Sequence, residues 1–139
     1  MPIKHDDICL NKASIIERSL RRALQEYAMD RELQNSTHID AMTLNIERAC
    51  QAAIDLAMHL VAHNHLGVPQ TSADAFNLLN QAGYLSRDTA LSMVAMTGFR
   101  NIAVHEYQKM NLDVLRKIGN EGWKGLVVFC RELGMEIEV

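Results

Sequence analysis

The strongest constraint on the fold is a run of apolar residues at helical spacing that follows Asn35 and continues over more than about five turns. Apolar side chains that recur every three or four residues lie on one face of an α-helix. The run consists of Ile39, Met42, Ile46, Ala49, Ala53, Leu56 and Leu60. A second strip, which contains Cys50, Ile54, Ala57, Met58 and Val61, widens the apolar surface. The pattern predicts a long central helix that other helices cover on more than one side.

Similar patterns on both sides of this helix predict the rest of a helical bundle. No window shows the period-two alternation of a half-buried strand, and there is no internal repeat. The predicted limits are Ile8 to about Met29 for the first helix and Thr71 or Ser72 to Gly83 for the third. Capping side chains at Asn35, Ser36 and Thr37 start the second, Ser86 starts the fourth and Asn111 caps the last. We therefore predict one all-α domain over residues 1–139, a bundle of four to five helices with short connections.

Glycines interrupt the last predicted helix at positions 119, 122 and 125. Glycine is a poor helix former because it loses more backbone entropy than any other residue when it is ordered. The last helix is therefore expected to be either closely packed against a neighbour at these glycines or broken there.

The overall charge excludes a broad basic surface for nucleic acid. The chain has 14 Lys and Arg residues against 17 Asp and Glu residues, which gives a formal net charge of −3. Any contact with RNA must therefore be local. The arginines at positions 18, 21 and 22 lie near Glu17 and Glu26, and we interpret them as a solvated helix face with ion pairs.

The cysteines and the hydropathy pattern indicate in which compartment of the cell the protein is expected. Cys9, Cys50 and Cys130 are odd in number, far apart and surrounded by apolar residues, which is typical of reduced core thiols. No stretch reaches the roughly 18 apolar residues that a membrane span needs, and no apolar run follows the first residues. We expect a cytoplasmic protein that does not contact a membrane.

The polar residues with the clearest chemical use lie near the end of the fourth predicted helix. On a helix, Phe99, Ile102 and Ala103 fall on one half and can pack into the bundle. The other half carries Arg100, Asn101, His105 and Tyr107. An apolar anchor would thus hold a polar cluster toward solvent or a partner.

Each of these polar residue types has a use in cutting RNA. The fork of donors on Arg100 suits a phosphate and the negative charge that develops on it in the transition state. His105 can take a proton from a 2′-hydroxyl or give one to a leaving 5′-oxygen near neutral pH. Asn101 can orient the imidazole or hold a phosphate oxygen, and Tyr107 can bond the phosphate or stack on a base. This scheme needs no metal and no cofactor, but the same residues also occur on ordinary helix surfaces.

The motif Arg-Asn-x3-His-x-Tyr, formed by residues 100–107, resembles the Arg-x4-to-6-His signature of HEPN-domain ribonucleases. Its extended Arg-x4-His-x-Tyr form is similar to that of the HepT toxins. The stretch at 47–57, Glu-Arg-Ala-Cys-Gln-Ala-Ala-Ile-Asp-Leu-Ala, and the Gly-Val-Pro-Gln turn at 67–70 also resemble that family. The resemblance covers nearly the whole chain and departs at no motif position.

The resemblance implies a HEPN-type bundle that dimerises, so that two motifs form one composite, metal-independent site for single-stranded RNA. It implies Arg100 and His105 as catalytic residues and Asn101 and Tyr107 as supporting residues. It further implies the toxin of a type II, or type VII-like, toxin–antitoxin system, whose antitoxin is an MNT nucleotidyltransferase. Such an antitoxin would bind the toxin and transfer AMP to Tyr107, where an anionic group would repel RNA phosphate.

Two other functions remain open at this point. The polar cluster could be a non-catalytic module that docks a nucleotidyltransferase partner or holds a nucleotide, or the chain could be an ordinary helical scaffold.

The chain also carries a possible metal-binding pattern, His-x3-His-x-His at His59, His63 and His65. We interpret these three as solvated side chains at a helix end. Asp55 could support Arg100 or His105, although pairing with Arg48 or another structural partner is the favoured interpretation.

Overall fold

The protein is a bundle of helices, and its structure, a computed structural model, describes residues 3–105 and 111–139, with the side chains of residues 104 and 105 left out. Throughout these ranges the regular secondary structure is helical and no strand occurs. The elements are α1 (Asp7–Met29), α2 (Ser36–His63), α3 (Ser72–Gln81), α4 (Arg87–His105), α5 (Leu112–Lys117), a π-helical turn (Ile118–Gly122) and α6 (Trp123–Glu132). The π turn joins α5 and α6 into one continuous helix. The all-α prediction is confirmed.

The helices begin at residues whose side chains satisfy free backbone amides in the first turn. The Asn35 side chain accepts from the Thr37 amide at 2.9 Å, and Asn111 accepts from the Asp113 amide at 2.7 Å. Thr71 and the side chain of the third helical residue form a reciprocal capping box. These caps confirm the predicted starts of three helices, since each oxygen stabilises a helix end that is otherwise unpaired.

The central helix is α2, as predicted. It packs against α1, α3, α4 and α6. Most of its two apolar strips are buried, although Ile39 and Met58 are only half-buried at their edges. A helix covered on several sides must be apolar over more than one face, which explains why its pattern dominates the sequence.

The three cysteines are free and buried, in agreement with the core-thiol prediction. Burial raises the pKa of Cys50 and of Cys130 to about 12, because an apolar environment disfavours the thiolate. Burial also raises the pKa of Cys9. All three are therefore protonated thiols at neutral pH, and none is a nucleophile.

At the glycines of the last helix the structure has both features that the sequence offered as alternatives: the regular α-helix is interrupted, and the chain packs closely against a neighbour. The π turn contains Gly119 and Gly122, and Gly119 lies directly against α1 and α2. A Cβ atom at Gly119 would lie 2.6 Å from Cδ2 of Tyr27 and 2.9 Å from Cε of Met42. The Tyr27 hydroxyl donates to Asn120 Oδ1 at 2.7 Å, which fixes the π turn against α1.

A Gly119→Ala substitution is expected to lower the free energy of unfolding by about 1–3 kcal/mol, because a methyl group would force the buried Tyr27 ring aside. Gly98→Ala is the matched control, since nothing lies within 4 Å of the position of its Cβ. The control is expected to be neutral or to gain up to about 1 kcal/mol of helix propensity. Urea unfolding measures both; equal stability of the two variants would contradict the packing argument.

Ion pairs account for two of the three arginines on the exposed face of α1. Arg21 lies 3.9 Å from Glu17, and Arg22 pairs with Glu26. The arginines are exposed and two are ion-paired, as predicted, but Glu26 is buried, so the expectation that it belongs to a solvated face is wrong. No helix in the described ranges combines the length and the apolar character needed to cross a membrane.

Candidate active site

The candidate site is built on the last turns of α4, where Arg100 faces the central helix. Arg100 Nε lies 3.9 Å from Glu47 Oε1 on α2, and the side chains are 26% and 19% exposed. Cys50 lies one turn after Glu47 on α2. The negative charge of Glu47 raises the pKa of the Cys50 thiol, and the positive charge of Arg100 lowers it. The guanidinium is thus partly buried, and a carboxylate from a neighbouring helix balances its charge.

Arg100 makes few hydrogen bonds with the part of the chain that the structure describes. Nη1 donates to Asn101 Oδ1 at 3.3 Å. Nε is buried and has no hydrogen-bond partner within the described ranges, because 3.9 Å is too long for a hydrogen bond to Glu47. A guanidinium has five N–H donors, and those on its two terminal nitrogens make one hydrogen bond to a described side chain, so donors remain there that can serve a phosphate.

The apolar side of this segment only partly matches the prediction. Phe99 is buried and Ala103 packs against the core, as expected. Ile102 is 38% exposed, and the expectation that it packs into the bundle is wrong. It borders an apolar groove of about 600 Å³ between α4 and the last helix, whose lining also includes Phe99, Val114 and Ile118. Arg100 is not among the residues that line this groove; its side chain faces Glu47 on α2 instead.

The structure brings together two of the four predicted site residues, Arg100 and Asn101. The backbone of α4 extends to His105, but the side chain of His105 and the whole of Tyr107 lie outside the described residues. Their predicted roles therefore stay predictions. Sequence reasoning did not identify Glu47 as the partner of Arg100. The available signal was an acidic residue on the flank of the buried strip of the central helix.

Asp55 has structural partners, in keeping with the favoured interpretation, although the specific partner is not Arg48. It lies 3.3 Å from Lys12 Nζ on α1 and accepts a hydrogen bond from Gln51 at 2.8 Å. The alternative in which Asp55 supports Arg100 finds no contact among the described side chains.

The histidines near the end of α2 differ from the predicted solvated set at one position. His59 is partly buried, and its Nε2 lies 2.6 Å from Oδ2 of Asp6, the residue that caps α1. The ring of His63 stacks on that of His59 with centroids 5.6 Å apart. His65 follows the end of α2 in a left-handed backbone conformation.

Comparison with known proteins identifies the family. Residues 14–133 match the family model described as Ribonuclease HepT-like. The chain belongs to the HepT-like ribonuclease family. It is 40% identical to the mRNA nuclease HepT of Shewanella oneidensis over 111 residues. This aligned stretch covers 79% of this chain and 84% of that relative.

Solved structures of HepT-like proteins have the same fold. One is a tri-AMPylated Shewanella oneidensis HEPN toxin in complex with MNT antitoxin, with a TM-score of 0.87, 35% identity and coverage of 93% of this chain and 98% of that one. Another is a toxin–antitoxin structure with AMP-PNP, with a TM-score of 0.87, 34% identity and coverage of 92% and 98%. These similarities confirm the predicted HEPN-type bundle, and the family confirms the predicted ribonuclease class.

Proposed function

We propose that this HepT-like ribonuclease is the toxin of a HepT/MNT toxin–antitoxin pair and cuts RNA, without a metal, at a site that two copies build from Arg100 and His105. The observation that carries the proposal is the burial and hydrogen bonding of the Arg100 guanidinium. Its guanidinium is partly buried beside Glu47, yet it makes a single hydrogen bond to a described side chain. A cation held in this way suits a phosphate that arrives with the substrate.

The proposed reaction is attack of a 2′-oxygen on the adjacent phosphorus. One neutral His105 takes the proton from the 2′-hydroxyl as the O2′–P bond forms. The P–O5′ bond breaks, and a protonated His105 of the second copy gives its proton to the 5′-oxygen. The products are a 2′,3′-cyclic phosphate and a 5′-hydroxyl. Arg100 stabilises the extra negative charge on the phosphoryl oxygens, and Asn101 orients the guanidinium through its side-chain oxygen.

The apolar groove between α4 and the last helix supports dimerisation. Exposed apolar side chains lie on both of its walls, Ile102 on α4 and Val114 on α5. In a two-fold dimer the same patch on each copy faces itself. A dimer that buries this patch would place the two α4 helices, which carry the motif residues, next to each other, and we infer that neither copy alone holds a complete site.

Control by an antitoxin is the second half of the proposal. The similar Shewanella oneidensis toxin is tri-AMPylated and in complex with an MNT antitoxin, and the curated relative is an mRNA nuclease. We infer that an MNT nucleotidyltransferase transfers AMP to Tyr107 and that mRNA is the substrate class. Tyr107 lies two residues after His105, so added phosphates would occupy the cleft and repel RNA.

Intact mass combined with an RNA cleavage assay tests this proposal. The protein purified alone is expected to cut RNA, whereas the protein co-expressed with its MNT partner is expected to carry added AMP and to lose cleavage. Tyr107→Phe is the control, because it removes only the acceptor hydroxyl and should stay unmodified under co-expression. An unmodified wild-type protein that never cuts RNA would instead favour the non-catalytic module that docks a nucleotidyltransferase or a nucleotide.

A further inference from the structure

A second cluster of chemically capable side chains lies where the start of α1 meets the end of α2. Asp6 comes from the N-cap of α1, and His59 and His63 come from the last two turns of α2. One potential ligand atom from each of the three lies within 4.8 Å of the other two. No described contact joins this cluster to Arg100 or Glu47, so the proposed RNA cleavage does not account for it.

The ligand types and spacing suit a divalent cation of the zinc class. Histidines four residues apart share one face of a helix, so both imidazoles can reach one ion. A carboxylate from another helix completes a set of two nitrogens and one oxygen, and a water molecule would take the fourth tetrahedral position. Because Zn²⁺ binds at about 2.0–2.2 Å from each ligand, adjacent ligand atoms end up roughly 3–4 Å apart. Small side-chain rotations from the present arrangement are sufficient.

Two of the three ligands are already held in place. The Cys9 amide donates to Asp6 Oδ1 at 2.9 Å, which leaves Oδ2 directed to His59. His59 is only 20% exposed and is held by Asp6. His63 is exposed and stacks on His59, so it can turn toward an ion at small cost. Preorganised ligands lose less entropy on binding, which favours affinity at this position.

We propose that Asp6, His59 and His63 bind one Zn²⁺ ion per chain, and that the ion links the start of α1 to the end of α2. Binding replaces the hydrogen bond that His59 Nε2–H donates to Asp6: the Nε2 proton passes to solvent, Nε2 binds the ion, and the neutral imidazole then carries its single proton on Nδ1. The ion stabilises the native state because the unfolded chain does not hold these ligands together.

The competing explanation is a plain hydrogen-bonded pair of His59 and Asp6 that binds no ion. The two explanations differ at His63, which has no part in that pair. His63→Gln should remove a zinc ligand and leave the pair intact. Asp6→Asn should remove the carboxylate and still cap α1, because Asn is as good a capping residue as Asp.

The test is isothermal titration of the metal-free protein with ZnCl₂, followed by thermal unfolding with and without the ion. The wild-type protein is expected to bind one ion per chain and to unfold at a higher temperature with zinc. His63→Gln and Asp6→Asn are expected to bind at least about tenfold more weakly and to lose most of the shift.

His65→Asn is the matched control. It removes a neighbouring histidine outside the cluster, and Asn tolerates the left-handed backbone that His65 adopts. This variant should bind zinc as the wild type does. Wild-type protein that binds no zinc, or equal binding by His63→Gln and wild type, would overturn the proposal. Unfolding of each metal-free variant checks that weaker binding does not come from a damaged fold.

Discussion

Replacing Arg100 with lysine is expected to lower the rate of RNA cleavage by about a hundredfold or more. Lysine keeps the positive charge but loses the planar fork that donates two hydrogen bonds to one phosphate. Loss of one donor that acts on a developing charge typically costs about 10²–10³ in rate. Arg100→Ala is expected to cost more, because the charge is lost as well. Single-turnover cleavage of a labelled RNA at saturating protein concentration measures the effect on the chemical step.

Glu47→Gln is the control for this experiment. It removes the charge that balances Arg100 but leaves the guanidinium in place. We expect cleavage by this variant to stay within about tenfold of wild type, because Arg100 keeps both its charge and its fork of donors. A lysine variant that cleaves as fast as Glu47→Gln would show that Arg100 does not act on the phosphate.

His105→Ala is expected to reduce cleavage by about 10²–10⁴-fold, since a general acid–base group contributes on that scale. Binding to the MNT partner should be retained, because the substitution changes a single side chain. Cleavage rates and a pull-down with the partner measure the two properties separately. The wild-type rate is expected to have a bell-shaped pH dependence with one histidine acting as base and another as acid, and this shape should disappear in the variant.

His65→Asn is the control that shows whether losing any histidine lowers cleavage, because His65 lies past the end of α2 and outside the candidate site. It should cut RNA at the wild-type rate. Wild-type cleavage by His105→Ala would contradict the proposed mechanism. Loss of both cleavage and partner binding would point to a structural role for His105.

Local patterns predicted most of the fold. The cap at Asn35 and the capping box at Thr71 depend on residues next to one another in sequence, so their positions could be predicted. The long apolar run predicted the central position of α2 for the same reason. The π turn was anticipated only as a break or a close contact, because its form depends on Tyr27, far away in the chain.

The candidate site was harder to predict, because its contacts join separate helices. The Arg100 motif was visible from spacing and resemblance, but its contact with Glu47 depends on how α4 crosses α2. In the same way, the sequence indicated a pattern of three histidines at positions 59, 63 and 65, whereas the contact with Asp6 depends on how the start of α1 meets α2. The exposure of Ile102 could not be predicted, because helical periodicity does not say which neighbouring helix covers a given face.

Because the three cysteines are buried, the native protein is expected to react only slowly with thiol reagents. Alkylating agents and peroxides react with the accessible thiolate, and Cys9, Cys50 and Cys130 offer neither access nor charge in the folded state. They lie on α1, α2 and α6, so each thiol becomes reactive only when its own helix opens. The three residues thus report local opening in three parts of the bundle, and the three thiols of the folded protein should resist oxidation.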